Sequence, residues 1–169
     1  MIDIYMLLNI LGFNVSWFGL ILLGNLFIPV SLFWLGLHIY RCKQPKAEIK
    51  LIISLVLIGT LVDTALLSAN ILIFSNEYFI PLWLITLWAS FAATVGHSLK
   101  FLECSKVLQS LIGFFVPPVS YIAGASFSSV GFGYNKVETF LILGSIWSVL
   151  MVLFFCLSNI FYTQVTTNE

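Results

Sequence analysis

Charge is the scarcest property of this sequence: 8% of its 169 residues are Asp, Glu, Lys or Arg, against about a quarter in soluble globular domains. The seven basic and seven acidic side chains cancel, so the basic surface that a nucleic-acid partner requires is missing. Cysteine is scarce as well. Cys42, Cys104 and Cys156 form no CxxC pair and no regular spacing, which points away from a disulfide framework and from a zinc site. No metal and no cofactor is expected. The opening "MIDIYMLLNILGF" lacks a basic n-region, and no small-residue cleavage signal follows its apolar stretch, so it reads as a retained first membrane segment. Nucleophile elbows, metal-ligand spacings and paired carboxylates are also missing, so the chain does not read as an enzyme.

What the sequence has instead is 60% hydrophobic and 16% aromatic residues gathered in long uncharged runs. A membrane-spanning helix needs about 20 apolar residues, and six spans can be counted, at approximately 4–23, 27–40, 51–74, 81–101, 107–130 and 137–162. The first two come from one run that is too long for a single crossing. It is broken at "LGNLFIP", where Gly24, Asn25 and Pro29 supply turn and helix-start chemistry. The expected fold class is all-α: a polytopic membrane helical bundle of about six transmembrane helices, with residues 1–169 as a single domain.

Arg41, Lys43, Lys46, Lys50, Lys100 and Lys106 fall on one side of this arrangement, and Lys136 alone on the other. Lys and Arg in short loops are retained in the cytoplasm, so both termini are expected there. The loops near Asn25, Glu77 and Lys136 are expected to face outward.

Within the third run, "LIGTLVDTALLSAN" places Asp63 near the centre of an otherwise uncharged span. A charge at that depth costs about 2.5–3.5 kcal/mol even on the lenient insertion scale, so the side chain should face inward toward a partner. Gly59, Asp63 and Asn70 share one helical stripe at 100° per residue. In the fourth span Thr86, Ser90, Ala93 and His97 make another small and polar stripe, with Thr94 at its border. Ser90 is nearest the level of Asp63, whereas His97 differs from it in depth by roughly 13 Å.

The fifth span carries "VPPVSYIAG", in which Pro117 and Pro118 remove two backbone donors, and an interruption is expected there. Ser120 and Tyr121 follow, and Tyr121 is placed to donate to Asp63. Asn14, Ser16 and Trp17 of the first span arrive at a similar depth. The sixth span, rich in Leu, Phe, Val and Ile, reads as lipid-facing. The candidate buried polar centre therefore comprises Asp63, Asn70, Ser90, Thr94, His97, Ser120, Tyr121 and Trp17. It serves either to bind a ligand or titrate a proton, or simply to tie helices together. His38 and His97 lie near the basic boundary, where a histidine needs no ligand. Trp34 and Trp83 read as interfacial anchors.

The segments "NVSWFGLILLGN", "LIGTLVDTALL", "PLWLITLWASFAATVGHSLKFL" and "PPVSYIAGA" occur in an order and spacing that resembles a family of small bacterial inner-membrane proteins, the domain of unknown function 2878. The resemblance covers nearly the whole chain. It implies a multi-pass protein of the bacterial inner membrane, with Trp17, Gly59, Asp63, Pro81, Trp83, Trp88, Thr94, His97 and Ser98 as characteristic residues. Pro118, Ser120, Tyr121, Ala123 and Gly124 complete that set. The family pattern has Gly-Pro where this chain has Pro117 and Pro118. The family has no assigned activity, and the company its genes keep suggests lipid-modifying enzymes as partners.

The leading functional expectation is a non-catalytic protein that binds membrane lipids or another hydrophobic ligand, or scaffolds a lipid-modifying enzyme or other membrane protein. The alternative is a small proton-coupled transporter using Asp63. An intramembrane enzyme with Asp63 or His97 as base and Tyr121 as acid ranks third, because acid and base must reach one reacting atom.

Overall fold

The structure, a computed structural model, describes residues 4–74, 79–127 and 129–167. Glu77, expected on an outward loop, lies outside them. Six α-helices follow in order: α1 (Ile4–Leu23), α2 (Ile28–Arg41), α3 (Pro45–Ser68), α4 (Leu82–Val95), α5 (Lys106–Ser126) and α6 (Lys136–Thr167). Two 3-10 turns, Gly24–Phe27 and Lys100–Leu102, interrupt the chain. The antiparallel pairs Leu72 with Phe132 and Ile73 with Gly131 add a two-residue ribbon that the sequence pattern did not predict. The architecture is otherwise all-helical.

Four apolar helical segments are long enough to cross a membrane: Ile4–Arg41, Pro45–Ser68, Lys106–Ser126 and Lys136–Thr163. The first is folded back on itself. Gly24 adopts a φ of +56°, a left-handed conformation open to glycine at little cost, and Pro29 stands in the first turn of α2, where its fixed φ suits a helix start. Gly12 then lies against Trp34 and Gly19 against Phe27, as in an antiparallel hairpin. Helix α4, at 14 residues, is only about 21 Å long. Regular helix ends at Val95, short of the span expected over 81–101, and turns carry the chain on to α5.

Local chemistry sets the other boundaries. Pro45 occupies the first turn of α3, so that helix opens six residues before the uncharged run does. Its end is closed by the amide of Ile71 on the Leu66 carbonyl and that of Asn70 on Leu67. Asn70 itself has a φ of 56°, the left-handed residue of a Schellman closure. The Ser105 hydroxyl caps α5 by accepting from the amide of Leu108. At the start of α6, Asn135 Oδ1 accepts from the amides of Val137 and Glu138, and Glu138 accepts from the amide of Asn135 in return, a reciprocal capping box.

Successive helices run in opposite directions. The start of α1, the end of α2, the start of α3 and the ends of α4 and α6 meet around Glu48. At the opposite end Ser129 donates to the Ile21 carbonyl and the Trp83 amide donates to Asn25. Arg41, Lys43, Lys46 and Lys50 lie around the α2–α3 turn, and Lys100 and Lys106 between α4 and α5, all exposed.

Two expectations for the last helices are corrected. Helix α5 passes through Pro117 and Pro118 without a break, and the Phe114 carbonyl, left without a donor by Pro118, lies against Gly144 of α6. Helix α6 is not mainly lipid-facing: Leu143, Trp147, Met151, Phe154 and Phe155 are core residues. The two helices approach so closely at Gly113 that an added Cβ would meet the Trp147 carbonyl, and small residues permit such backbone approach in membranes. Gly113→Ala is therefore expected to destabilise the protein by about 1–3 kcal/mol. Thermal unfolding in detergent, compared with Gly36→Ala, whose added methyl meets no neighbour within 4 Å, measures this; equal midpoints would contradict the packing described.

Candidate functional site

Helix α3 turns one face inward. Glu48, Ile52, Leu55, Gly59, Asp63 and Leu66 are all buried and recur at three- and four-residue intervals, so they form one stripe. It carries a carboxylate near each end, 15 residues and about 22 Å apart. Neither carboxylate is exposed at all.

Around Asp63 the arrangement is a clamp of neutral donors. Trp88 Nε1 donates to Oδ2 at 2.7 Å and the Tyr121 hydroxyl donates to Oδ1 at 2.8 Å. The indole reaches that position by crossing Gly59, one turn before Asp63, where any Cβ would collide with the ring. Its other face stacks on Trp147, with centroids 4.8 Å apart and planes 3° from parallel. Four helices are thereby tied to one side chain, and no salt bridge to Asp63 exists among the described residues.

The other residues expected in this centre are distributed differently. Ser120 accepts from Trp17 Nε1 at 2.6 Å, next to Tyr121 but not on Asp63. Ser90 is buried yet bonds back to the Thr86 carbonyl, and Thr94 to that of Phe91; among the described residues, Trp88 is Asp63's partner on α4. Asn70 is exposed, because α3 ends at Ser68 before the stripe reaches it. Asn14 is exposed too and bonds the Ile10 carbonyl. His97 lies beyond α4 in the second cluster, consistent with the depth difference from Asp63.

That second cluster surrounds Glu48, which sequence reasoning missed. His38 Nε2 lies 2.8 Å from Oε1, His97 Nε2 lies 3.4 Å from Oε2, and the Tyr162 hydroxyl donates to Oε2. Cys42 Sγ is 3.8 Å from His97 Nε2, and the two imidazoles pack edge to face with centroids 4.6 Å apart. Burial opposes the charge on His97, but hydrogen bonds to Cys42 and Glu48, with the Glu48 charge, outweigh it and push the ring up to about 9. The available signal was Pro45, which marks a helix start and brings Glu48 into the first turn of the stripe that leads to Asp63.

Two cavities flank these centres. One, of about 20 Å³ and large enough for about one water, lies between Asn9, Ser16, Ser31, Trp34, His38 and Ser90. The other, about 60 Å³ and partly open, is walled by Ile21, Phe74, Trp83, Leu84, Leu87 and Val130, with Ser120, Tyr121 and Gly124 along α5. Trp83, expected as an interfacial anchor, is a wall of this cavity.

Apolar helices of spanning length around enclosed carboxylates define a membrane protein with a polar interior. More narrowly, the chain belongs to the family described as "Protein of unknown function (DUF2878)", whose model matches residues 6–153. No curated protein and no solved structure matches it.

The clamp leads to a clear contrast between two substitutions. Asn at position 63 keeps the Trp88 bond through its oxygen and reverses the Tyr121 bond, its amide donating to the phenol oxygen, whereas Leu offers neither Trp88 nor Tyr121 a partner, at about 1–3 kcal/mol each. Asp63→Asn is expected to stay within about 1 kcal/mol of the parent in thermal unfolding, and Asp63→Leu to fall well below it. Equal loss in both would show that the bonds to Trp88 and Tyr121 contribute nothing specific.

Proposed function

We propose that this protein is a non-catalytic membrane component that holds a hydrophobic molecule, a lipid acyl chain or a comparable apolar group, in the cavity beside Tyr121. The observation that carries the reading is the cavity itself: its wall is almost wholly aliphatic and aromatic, with the Ser120 hydroxyl and Tyr121 as its polar features. Apolar walls with a few polar groups that fix orientation are the pattern of a ligand site, and about 60 Å³ takes a short terminal stretch of an acyl chain. Asp63 has no free oxygen for the occupant. It is a positioning residue that holds the Tyr121 hydroxyl, and Trp17 holds Ser120 in the same way.

A proton-coupled transporter would need Asp63 to meet water. Both of its oxygens are engaged by Trp88 and Tyr121, and the side chain is wholly covered, which favours the binding reading. In that reading the six helices all cross the bilayer of a bacterial inner membrane. The exposed Arg41, Lys43, Lys46, Lys50, Lys100 and Lys106 keep their end, and both termini, in the cytoplasm. In the same reading the bound molecule is presented to a lipid-modifying enzyme.

Gly124 provides the test. A Cβ there would make only ordinary contacts with Val130 and Ile21, so Gly124→Leu fills the cavity without straining the backbone. In native mass spectrometry of protein released from lipid nanodiscs, the parent and Asp63→Asn are expected to retain an apolar adduct and folded Gly124→Leu to lose it. An adduct unchanged in Gly124→Leu, or missing from the parent, refutes the proposal.

A further inference from the structure

The cluster around Glu48 plays no part in the cavity, yet it is the densest group of metal-ligating side chains among the described residues. His38, Glu48 and His97 each offer one ligand atom, and these atoms all lie within 4.8 Å of one another. In a tetrahedral Zn²⁺ site with bonds of about 2.0–2.2 Å, ligand atoms are separated by roughly 3.3–3.6 Å. The separation of 3.4 Å from His97 Nε2 to Glu48 Oε2 falls within that range, and that of 2.8 Å from His38 Nε2 to Glu48 Oε1 is about 0.5 Å short of it. The geometry points to a divalent transition-metal site at His38, Glu48 and His97, with Zn²⁺ matching its two-imidazole, one-carboxylate set.

Three features support it. The ligands come from three places, the last turn of α2, the first turn of α3 and the segment after α4, so the ion would join three separate stretches of chain. Glu48 is fully buried while the His97 side chain is 29% exposed, which gives an ion a way in. Tyr162 donates to Glu48, the kind of outer partner that orients a ligating carboxylate.

One detail sets a condition on loading. Asn9 Nδ2 donates to the Ala93 carbonyl at 2.8 Å and lies 3.3 Å from His38 Nδ1, while Asn9 Oδ1 accepts from the Ser98 amide. With the Asn9 amide so placed, His38 Nδ1 is the acceptor and Nε2 carries the proton toward Glu48. A metal on Nε2 moves that proton to Nδ1, and the Asn9 amide must turn to accept it. Asn9→Asp presents an acceptor whichever way it lies.

The experiment titrates the full chain, purified in detergent after chelation, with Co²⁺, and then displaces it with Zn²⁺. One equivalent of Co²⁺ with the intense visible bands of a tetrahedral site is expected. It should be lost in Glu48→Gln and weakened at least about tenfold in His97→Ala, a partly exposed position that keeps the fold if Glu48→Gln does not. Asn9→Asp should tighten binding by about tenfold, the lower end of typical outer-partner effects. A network held only by hydrogen bonds predicts no stoichiometric metal in the folded parent, and that result overturns the inference. So does binding that survives both Glu48→Gln and His97→Ala, or that Asn9→Asp leaves unchanged or weaker.

Discussion

A carboxylate enclosed among apolar helices must have its oxygens answered by other side chains, since no water or lipid headgroup reaches it. In this protein that requirement organises the bundle around Asp63. Trp88 satisfies one oxygen only because Gly59 leaves room for the indole, and the indole in turn needs the flat face of Trp147 behind it. Tyr121 satisfies the other from α5. The rotation of α4, the depth of α5 and the inward face of α6 are all constrained by one side chain on α3.

The same helix face repeats the arrangement at its other end in a different chemical key. Asp63 is held by neutral donors, whereas Glu48 is held by two imidazoles and a phenol. Their separation of about 22 Å along α3 places one carboxylate deep in the apolar region and the other among the exposed basic residues at the end of the bundle. The α1–α2 hairpin closes over both levels. Asn9 reaches His38 and the Ala93 carbonyl near Glu48, and Trp17 reaches Ser120 beside Tyr121.

This division assigns different tasks to the two ends. The apolar cavity opens next to the clamp, where Tyr121 is a shared residue, facing the cavity while being fixed by Asp63. The Glu48 cluster lies where three chain segments converge and where charge can approach from outside the bundle. Membrane location and family membership follow from the apolar helices and the match over residues 6–153. The reading of the cavity follows from its lining.

Length and periodicity along the chain were enough to determine the all-helical class, the break at Gly24 to Pro29, and the inward orientation of Asp63. Each of these depends on neighbours within a few turns: hydrophobic run length, glycine and proline conformations, and the cost of a bare charge in hydrocarbon. Local pattern alone also misleads. Asn70 shares the stripe of Asp63 only if α3 continues, and its own left-handed closure ends the helix first. Glu48 was concealed because the helix opens at Pro45, before the uncharged run begins. Tertiary structure alone decided that Trp88 and not Ser90 meets Asp63, that α6 is core, and that His38, Glu48, His97 and Tyr162 converge from across the chain. Such pairings depend on how helices rotate and approach, which glycine gaps such as Gly59 and Gly113 set. One-dimensional spacing does not contain that rotation, because a gap acquires meaning only from the side chain or backbone that fills it.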